Sequence, residues 1–217
     1  KYTARLIRGV QVKPSPLWMR RRLEVSGIRP LNNIVDITNY VLLELGQPLH
    51  AFDLRLIKDG KIIIRKAFKQ ESFKTLDDID RTLDEETLMI CDAEKPVAIA
   101  GIMGGLNSGI SSETEDIILE SAFFVPSSIA RSSRLLNLKT ESSQRFEKGV
   151  DPNSVVVASN RASQLISKFA SGKIIAPLVD RTAGNLPPKK SISLSVIKTN
   201  KITGLNLQID NVKDILQ

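Results

Sequence analysis

With one cysteine, Cys91, the chain can form no internal disulfide and suits a reducing compartment. Its one histidine, His50, leaves nothing from which to build a His, Cys and carboxylate cluster at metal-ligand spacing. No serine, histidine and acid set and no cysteine in an activating context offers a nucleophile. Aromatic residues make up only 5% of the sequence, short of the aromatic-rich strands of sheet-based RNA binders. No apolar run approaches the roughly 18 residues of a spanning helix and no signal sequence opens the chain, so a cytosolic protein is the default expectation. There is no internal repeat and no low-complexity tract.

What is present is ordinary globular material: 217 residues, 41% hydrophobic and 25% charged, enough for one large or two smaller domains. Lys and Arg number 31 against 24 Asp and Glu, a net charge of +7. That excess favours an acidic partner such as nucleic acid, and is equally compatible with a solvated surface. Lys1 enters a strand pattern at once and Gln217 stops within a helical one, as expected of a piece excised from something larger.

The stretch from Asn33 to Asp53, NIVDITNYVLLELGQPLHAFD, organises the rest. Asp36 reads as an N-cap, and Gly46 and Pro48 stop the run, so Ile37 to Leu45 is a predicted helix. Apolar residues on nearly every face mark it as buried, so Thr38, Asn39 and Glu44 must find partners or line a cavity. His50, just beyond, is either a hydrogen-bonded core or rim residue or part of a pocket.

Before that stretch, Tyr2, Ala4 and Leu6 alternate as in a strand. Ser15 as cap and Pro16 at the first turn predict a helix over Pro16 to Ser26, with Met19 and Leu23 inward and Arg20, Arg21 and Arg22 outward, a solvated face or a phosphate clamp. Arg29, before Pro30, lies in extended chain. After it, Lys61 to Lys66, Thr87 to Cys91, Val97 to Ile102 and Ile117 to Glu120 read as strands. Glu120 ends an apolar strand, and a buried carboxylate there needs a salt-bridge partner, another donor, a water or a ligand. Gly101 to Gly105 is a tight turn or an anion nest, and no Lys-Ser or Lys-Thr pair makes it a phosphate loop. Pro126 to Leu135 is a predicted helix and Lys139 to Ser143 a polar turn. Asp151 and Pro152 open a helix with Val155, Ala158, Ala162, Leu165, Ile166 and Phe169 on one face, closed by Gly172. A strand follows over Ile174 to Val179, then a linker over Arg181 to Lys190. From Ser191 a strand, a loop with Gly204 and a helix from about Asp210 begin another domain.

Four ordered motifs, GIRPLNNIVDITNYVLLELGQPLHAFD, AGIMGGLNSGISSET, IILESAFFVPSSI and LKTESSQRFEKGVDP, resemble the B3/B4 region of the β subunit of bacterial phenylalanyl-tRNA synthetases. The resemblance covers roughly residues 2 to 185. It implies a B3/B4 tRNA-editing domain over 1–185, and a linker with the truncated start of a B5 domain over 186–217. The implied fold is α+β, a β-rich, sandwich-like core of mixed sheets flanked by helices. The implied activity is hydrolysis of tyrosine wrongly attached to phenylalanine tRNA, within a cytosolic α2β2 ligase. Its partners would be that tRNA and the α subunit, which performs aminoacylation, with no membrane involved. No cofactor is implied for this region, since ATP and magnesium serve other parts of the enzyme.

Carried over position by position, the resemblance implies a pocket built from Arg29, Thr38, Asn39, Pro48, His50, Gly104, Glu120 and Thr140. One position departs, with Ser142 where the family has a small alanine. An aminoacyl ester is already an activated acyl group, so its hydrolysis needs a held substrate, a placed water and oxyanion donors, and no side-chain nucleophile. His50 is then the candidate water-orienting or ribose-contacting group, with a general-base role as the alternative. Glu120 is the candidate acceptor for the hydroxyl that separates tyrosine from phenylalanine. The opposing reading is a non-catalytic structural or tRNA-docking module.

Overall fold

The computed structural model describes residues 1–188 and 191–216, which fall into two compact units, Lys1–Leu186 and Pro187–Gln217. Lys189 and Lys190 of the predicted linker, and Gln217, lie outside the described residues.

The first unit is α+β, and every described strand pair in it is antiparallel. One four-stranded sheet is assembled from distant parts of the chain: β1 (Tyr2–Arg8), β2 (Leu49–Asp53), β9 (Ile117–Ala122) and β10 (Lys173–Arg181), in the order β10-β1-β9-β2. The second contains β3 (Ile63–Lys66), β6 (Leu88–Cys91), β7 (Pro96–Ile99) and β8 (Met103–Gly104), in chain order. A small hairpin of β4 (Ser72–Lys74) and β5 (Asp80–Thr82) completes the β structure.

The first sheet is apolar on both faces because each face has its own core. Alternation along a strand sends neighbours to opposite sides. On β9, Ile117 and Leu119 join a core with Met19 and Leu23 of α1 (Leu17–Val25), Ile34, Ile37 and Val41 of α2 (Asn33–Leu45), and Ala158, Ala162 and Ile166 of α5 (Ser154–Ala170). Ile118 and Ala122 join another with Met89, Ile90, Val97 and Ile99 of the second sheet, Ile129 of α3 (Pro126–Leu135) and Phe146 of α4 (Glu141–Lys148). Glu120 shares the side of Ile118 and Ala122, so it points toward the second sheet and α4.

Several predicted boundaries move, each for a visible reason. The helix expected from Ile37 starts at Asn33, because Asn32 is the cap: its side chain accepts from Ile34 N and Val35 N. Asp36 instead accepts from Ser15 Oγ at 2.5 Å and Leu31 N at 2.8 Å, so Ser15 does not cap α1. Gly46 closes α2 at φ 70°, a left-handed position suited to glycine. The expected polar turn over Lys139 to Ser143 is the start of a helix, and Thr140 is its cap. The helix expected from Pro152 begins at Ser154 and is closed by Ser171 in the left-handed region, with Asp151 accepting from Asn153 N. Sequence alternation missed β2, whose LHAFD is half-buried or buried throughout.

In the second unit the strand expected from Ser191 is absent. Ser195 caps α6 (Val196–Thr203), Gly204 ends it, and α7 (Ile209–Leu216) follows. Asn200 ties the loop to α6 by exchanging hydrogen bonds with both backbone groups of Leu207.

Candidate functional site

Three strands place the central polar groups in one row across the first sheet: Ala4 on β1 lies opposite Glu120 on β9, which lies opposite His50 on β2. All three face the second sheet. There β7, the turn after it and β8 supply Ala98, Ile99, Gly101, Ile102, Met103 and Gly104, while α4 supplies Ser142 and Phe146. These groups, with Pro48, Leu49 and Ile90, line a half-open cavity of about 60 Å³.

The cavity keeps its shape through backbone constraints. Gly104 has no room for a side chain, since a β-carbon there would sit 2.8 Å from His50 Cε1 and 3.0 Å from His50 Nε2. Gly101 combines φ +68° with Phe124, Ile129 and Phe146 within 3.0 Å of where its β-carbon would be. Thr140 joins the turn to α4: its hydroxyl donates to Ile102 O at 2.9 Å and accepts from Ser143 N at 3.0 Å. Ser143 Oγ returns a bond from Thr140 N, completing a reciprocal cap. Ser142 and Phe146, one turn apart on α4, are thereby held on the cavity face.

Burial dominates the electrostatics. Glu120 is 6% exposed and has no cationic partner within ion-pair distance among the described residues. Desolvation pushes its carboxyl up to about 8, against a smaller lowering by the hydrogen bond from Tyr2 Oη at 3.1 Å. It is therefore mostly protonated at neutral pH, and the salt bridge weighed for it is replaced by a phenol. His50 stacks edge-on against Phe52 at 4.5 Å, and its Nε2 is shut from solvent with no hydrogen-bond partner among the described residues. Desolvation pushes its imidazolium down to about 4, so the ring is neutral at physiological pH.

Of the residues expected at a site, Pro48, His50, Gly104, Glu120 and Ser142 meet at this cavity. Thr140 is not in its wall and acts one residue removed, as the helix cap. Arg29, Thr38 and Asn39 do not line it. Arg29 is exposed, and Thr38 turns its hydroxyl back to Val35 O at 2.7 Å. The reason is topological: α2 contributes Ile34, Ile37 and Val41 to the opposite face of the sheet. Glu44 lines no buried cavity either, since Arg161 clamps it at 2.7 and 2.8 Å on the surface. Arg22 of the arginine triplet lies over Trp18 and donates to Tyr40 Oη, and Arg20 and Arg21 are exposed.

The sequence reading missed Met103, Phe146 and Tyr2. Phe146 follows Ser142 by four residues, a spacing that would have exposed it had α4 been recognised. Nothing local marked Tyr2, whose partner is 118 residues away. Among the described residues no group of three or more His, Cys, Asp or Glu is placed to hold a metal ion. No helix among them is long and apolar enough to cross a membrane.

Comparison with known proteins gives a family model described as B3/4 domain, matching residues 1–171. The phenylalanine–tRNA ligase β subunit of Syntrophus aciditrophicus (strain SB) is 50% identical over 216 residues, covering 100% of this chain and 27% of that protein. Its counterpart in Salinibacter ruber is 48% identical over 210 residues, covering 97% of this chain and 25% of that protein. The chain thus spans about a quarter of the length of these curated relatives. Among solved structures, an N-terminal fragment of the phenylalanyl-tRNA synthetase β subunit from Pyrococcus horikoshii matches with a TM-score of 0.53 at 15% identity. That match covers 100% of this chain and 59% of the other, and at this identity it bears on the fold alone.

Proposed function

This chain belongs to the B3/4 domain family, and from that premise we propose that it is part of a phenylalanine–tRNA ligase β subunit and hydrolyses tyrosine wrongly esterified to phenylalanine tRNA. The observation that carries the reading is the meeting of Glu120, His50 and Ser142 at one cavity. Water adds to the acyl carbon, the bond from that carbon to the ribose oxygen breaks, and the ribose oxygen takes up a proton as free tyrosine leaves. Neutral His50 holds an acceptor nitrogen for water or a ribose hydroxyl. A base with a pKa near 4 is poorly matched to neutral pH, which favours orientation over proton abstraction.

Glu120 supplies selectivity. A protonated carboxyl both donates and accepts, so a phenol hydroxyl meets a complete partner while phenylalanine leaves that group unsatisfied. Sites built around such a hydroxyl reject its absence by roughly 10⁴ or more. The partners follow from the same reading: the mischarged tRNA, and an α subunit in an α2β2 enzyme that carries out aminoacylation with ATP and magnesium outside this chain. Residues 186–217 would begin a B5 domain.

The cavity size favours a second reading, a docking module without useful hydrolysis. At about 60 Å³ it is well below the roughly 150 Å³ of a cavity that admits benzene. Full burial of a tyrosyl ring therefore requires a wall to move, and Met103, unbranched and half-buried, is a side chain that can yield. The test is deacylation of tyrosyl- and phenylalanyl-tRNA by this chain and by the complete ligase. Faster tyrosine release is expected. If the complete ligase releases neither amino acid while still binding the tRNA, the docking reading stands instead.

A further inference from the structure

We infer that Tyr2 is a positioning residue: it holds one oxygen of Glu120 so that the rest of the carboxyl is presented to the cavity, and so sets the preference for a phenol over a phenyl group. The inference rests on the function proposed above and concerns the same cavity.

Three observations lead to it. Tyr2 Oη donates to Glu120 Oε2 at 3.1 Å, yet Tyr2 is not among the residues that line the cavity, whereas Glu120 is. The bond therefore reaches Glu120 from behind the wall. The register explains how: Ala4, the residue opposite Glu120, has no hydrogen-bonding side chain, and Tyr2, two residues along on the same face, reaches diagonally across the strands. Finally, the phenol of Tyr2 is a fixed donor. Burial and the neighbouring Glu120 raise its pKa well above the usual 10, so it keeps its proton throughout the working range.

The other groups around Glu120 leave this role unshared. From β2, His50 lies opposite and is neutral; α4 contributes Ser142 and Phe146, and β8 contributes Met103 and Gly104, none of which titrates. With Oε2 engaged as an acceptor, the carboxyl proton belongs on Oε1. A ligand hydroxyl then meets an oriented donor instead of a rotating acid.

The test compares the wild type with Tyr2→Phe, which keeps the ring and removes only the hydroxyl. Its probes are adenosine derivatives carrying tyrosine or phenylalanine through a 3′-amide, which resists hydrolysis. The wild type should bind the tyrosyl probe more tightly, and Tyr2→Phe should cut the ratio of the two affinities roughly tenfold, mainly through the tyrosyl probe. In the infrared, the protonated-carboxyl band that Glu120→Gln removes should titrate at higher pH in Tyr2→Phe, because the lost bond had lowered that pKa. An unchanged ratio, or equal weakening of both probes, would overturn the inference. A wild type without preference would do the same. Selective binding without hydrolysis of the matching esters would instead overturn the hydrolytic function and leave Tyr2 in its role.

Discussion

Glu120 makes the fold sensitive to pH, because its carboxyl is pushed from 4.5 to about 8 by burial. The native state keeps a proton that the unfolded chain releases between those values, so the stability linked to this group is complete below about 4.5 and is lost as pH rises through about 8. Glu120→Gln should remove that slope. Denaturation at pH 5 and pH 9 should show the difference between the two conditions shrinking by roughly 2–4 kcal/mol relative to wild type; an unchanged difference would mean the carboxyl ionises normally. His50 acts in the other direction, its pKa lowered from 6.5 to about 4, so its linked stability is present above 6.5 and lost as pH falls through about 4. At Ser142, which lines the cavity, Ser142→Ala removes one wall atom and should leave tyrosine release equal or faster. Ser142→Phe should stop it with little change in Tm, because the ring occupies ligand space. A Phe variant that is less stable and still releases tyrosine would place Ser142 in packed core, where overfilling costs about 1–3 kcal/mol.

At the scale of elements, Thr140 joins α4 to the turn before β8 by a hydrogen bond, beside the packing of Phe146 against Gly101. Thr140→Ala removes the cap of α4 and the bond to Ile102 O together. A lost cap alone costs about 0.5–2 kcal/mol, which for a unit of this size is a few degrees of Tm. Tyrosine deacylation should fall more than that loss of folded protein accounts for, since Ser142 and Phe146 lose their placement. A matching fall in both measurements would confine Thr140 to the helix. Gly104→Ala tests the facing contact: the new methyl cannot coexist with the present His50 ring, so a crystal structure of the variant should show His50 displaced and the cavity reshaped.

For the whole molecule, the partition at Leu186 and Pro187 predicts where the chain is vulnerable. In the second unit Ile192, Ile197, Ile202, Ile215 and Leu216 are all more than two-thirds exposed, so little apolar burial holds it together. Limited proteolysis should trim residues beyond about 186 first and leave a resistant piece containing the first unit. Early cleavage inside α2 would contradict the assignment of that helix to the core.

The sequence by itself determined the elements whose signals are local. Pro126 to Leu135 is a helix to the residue, and the apolar face of α5, Val155 through Ile166, is read directly from its spacing. The apolar character of Ile117 to Leu119 on both faces, with a carboxylate following, already required a special environment for Glu120. Likeness of motifs, not periodicity, brought Pro48, Gly104 and Ser142 into consideration. Tertiary structure alone decided which of these groups meet. Antiparallel register sets Glu120 between Ala4 and His50, so residues more than 60 positions apart share one row, and no local pattern encodes that pairing. The same sheet separates what lay close in sequence: α2, with Thr38 and Asn39, is only a few residues from His50 yet packs its apolar face against the opposite side. Long-range pairing also supplied Tyr2, because a buried carboxyl must find a donor and only the folded chain shows which one is within reach.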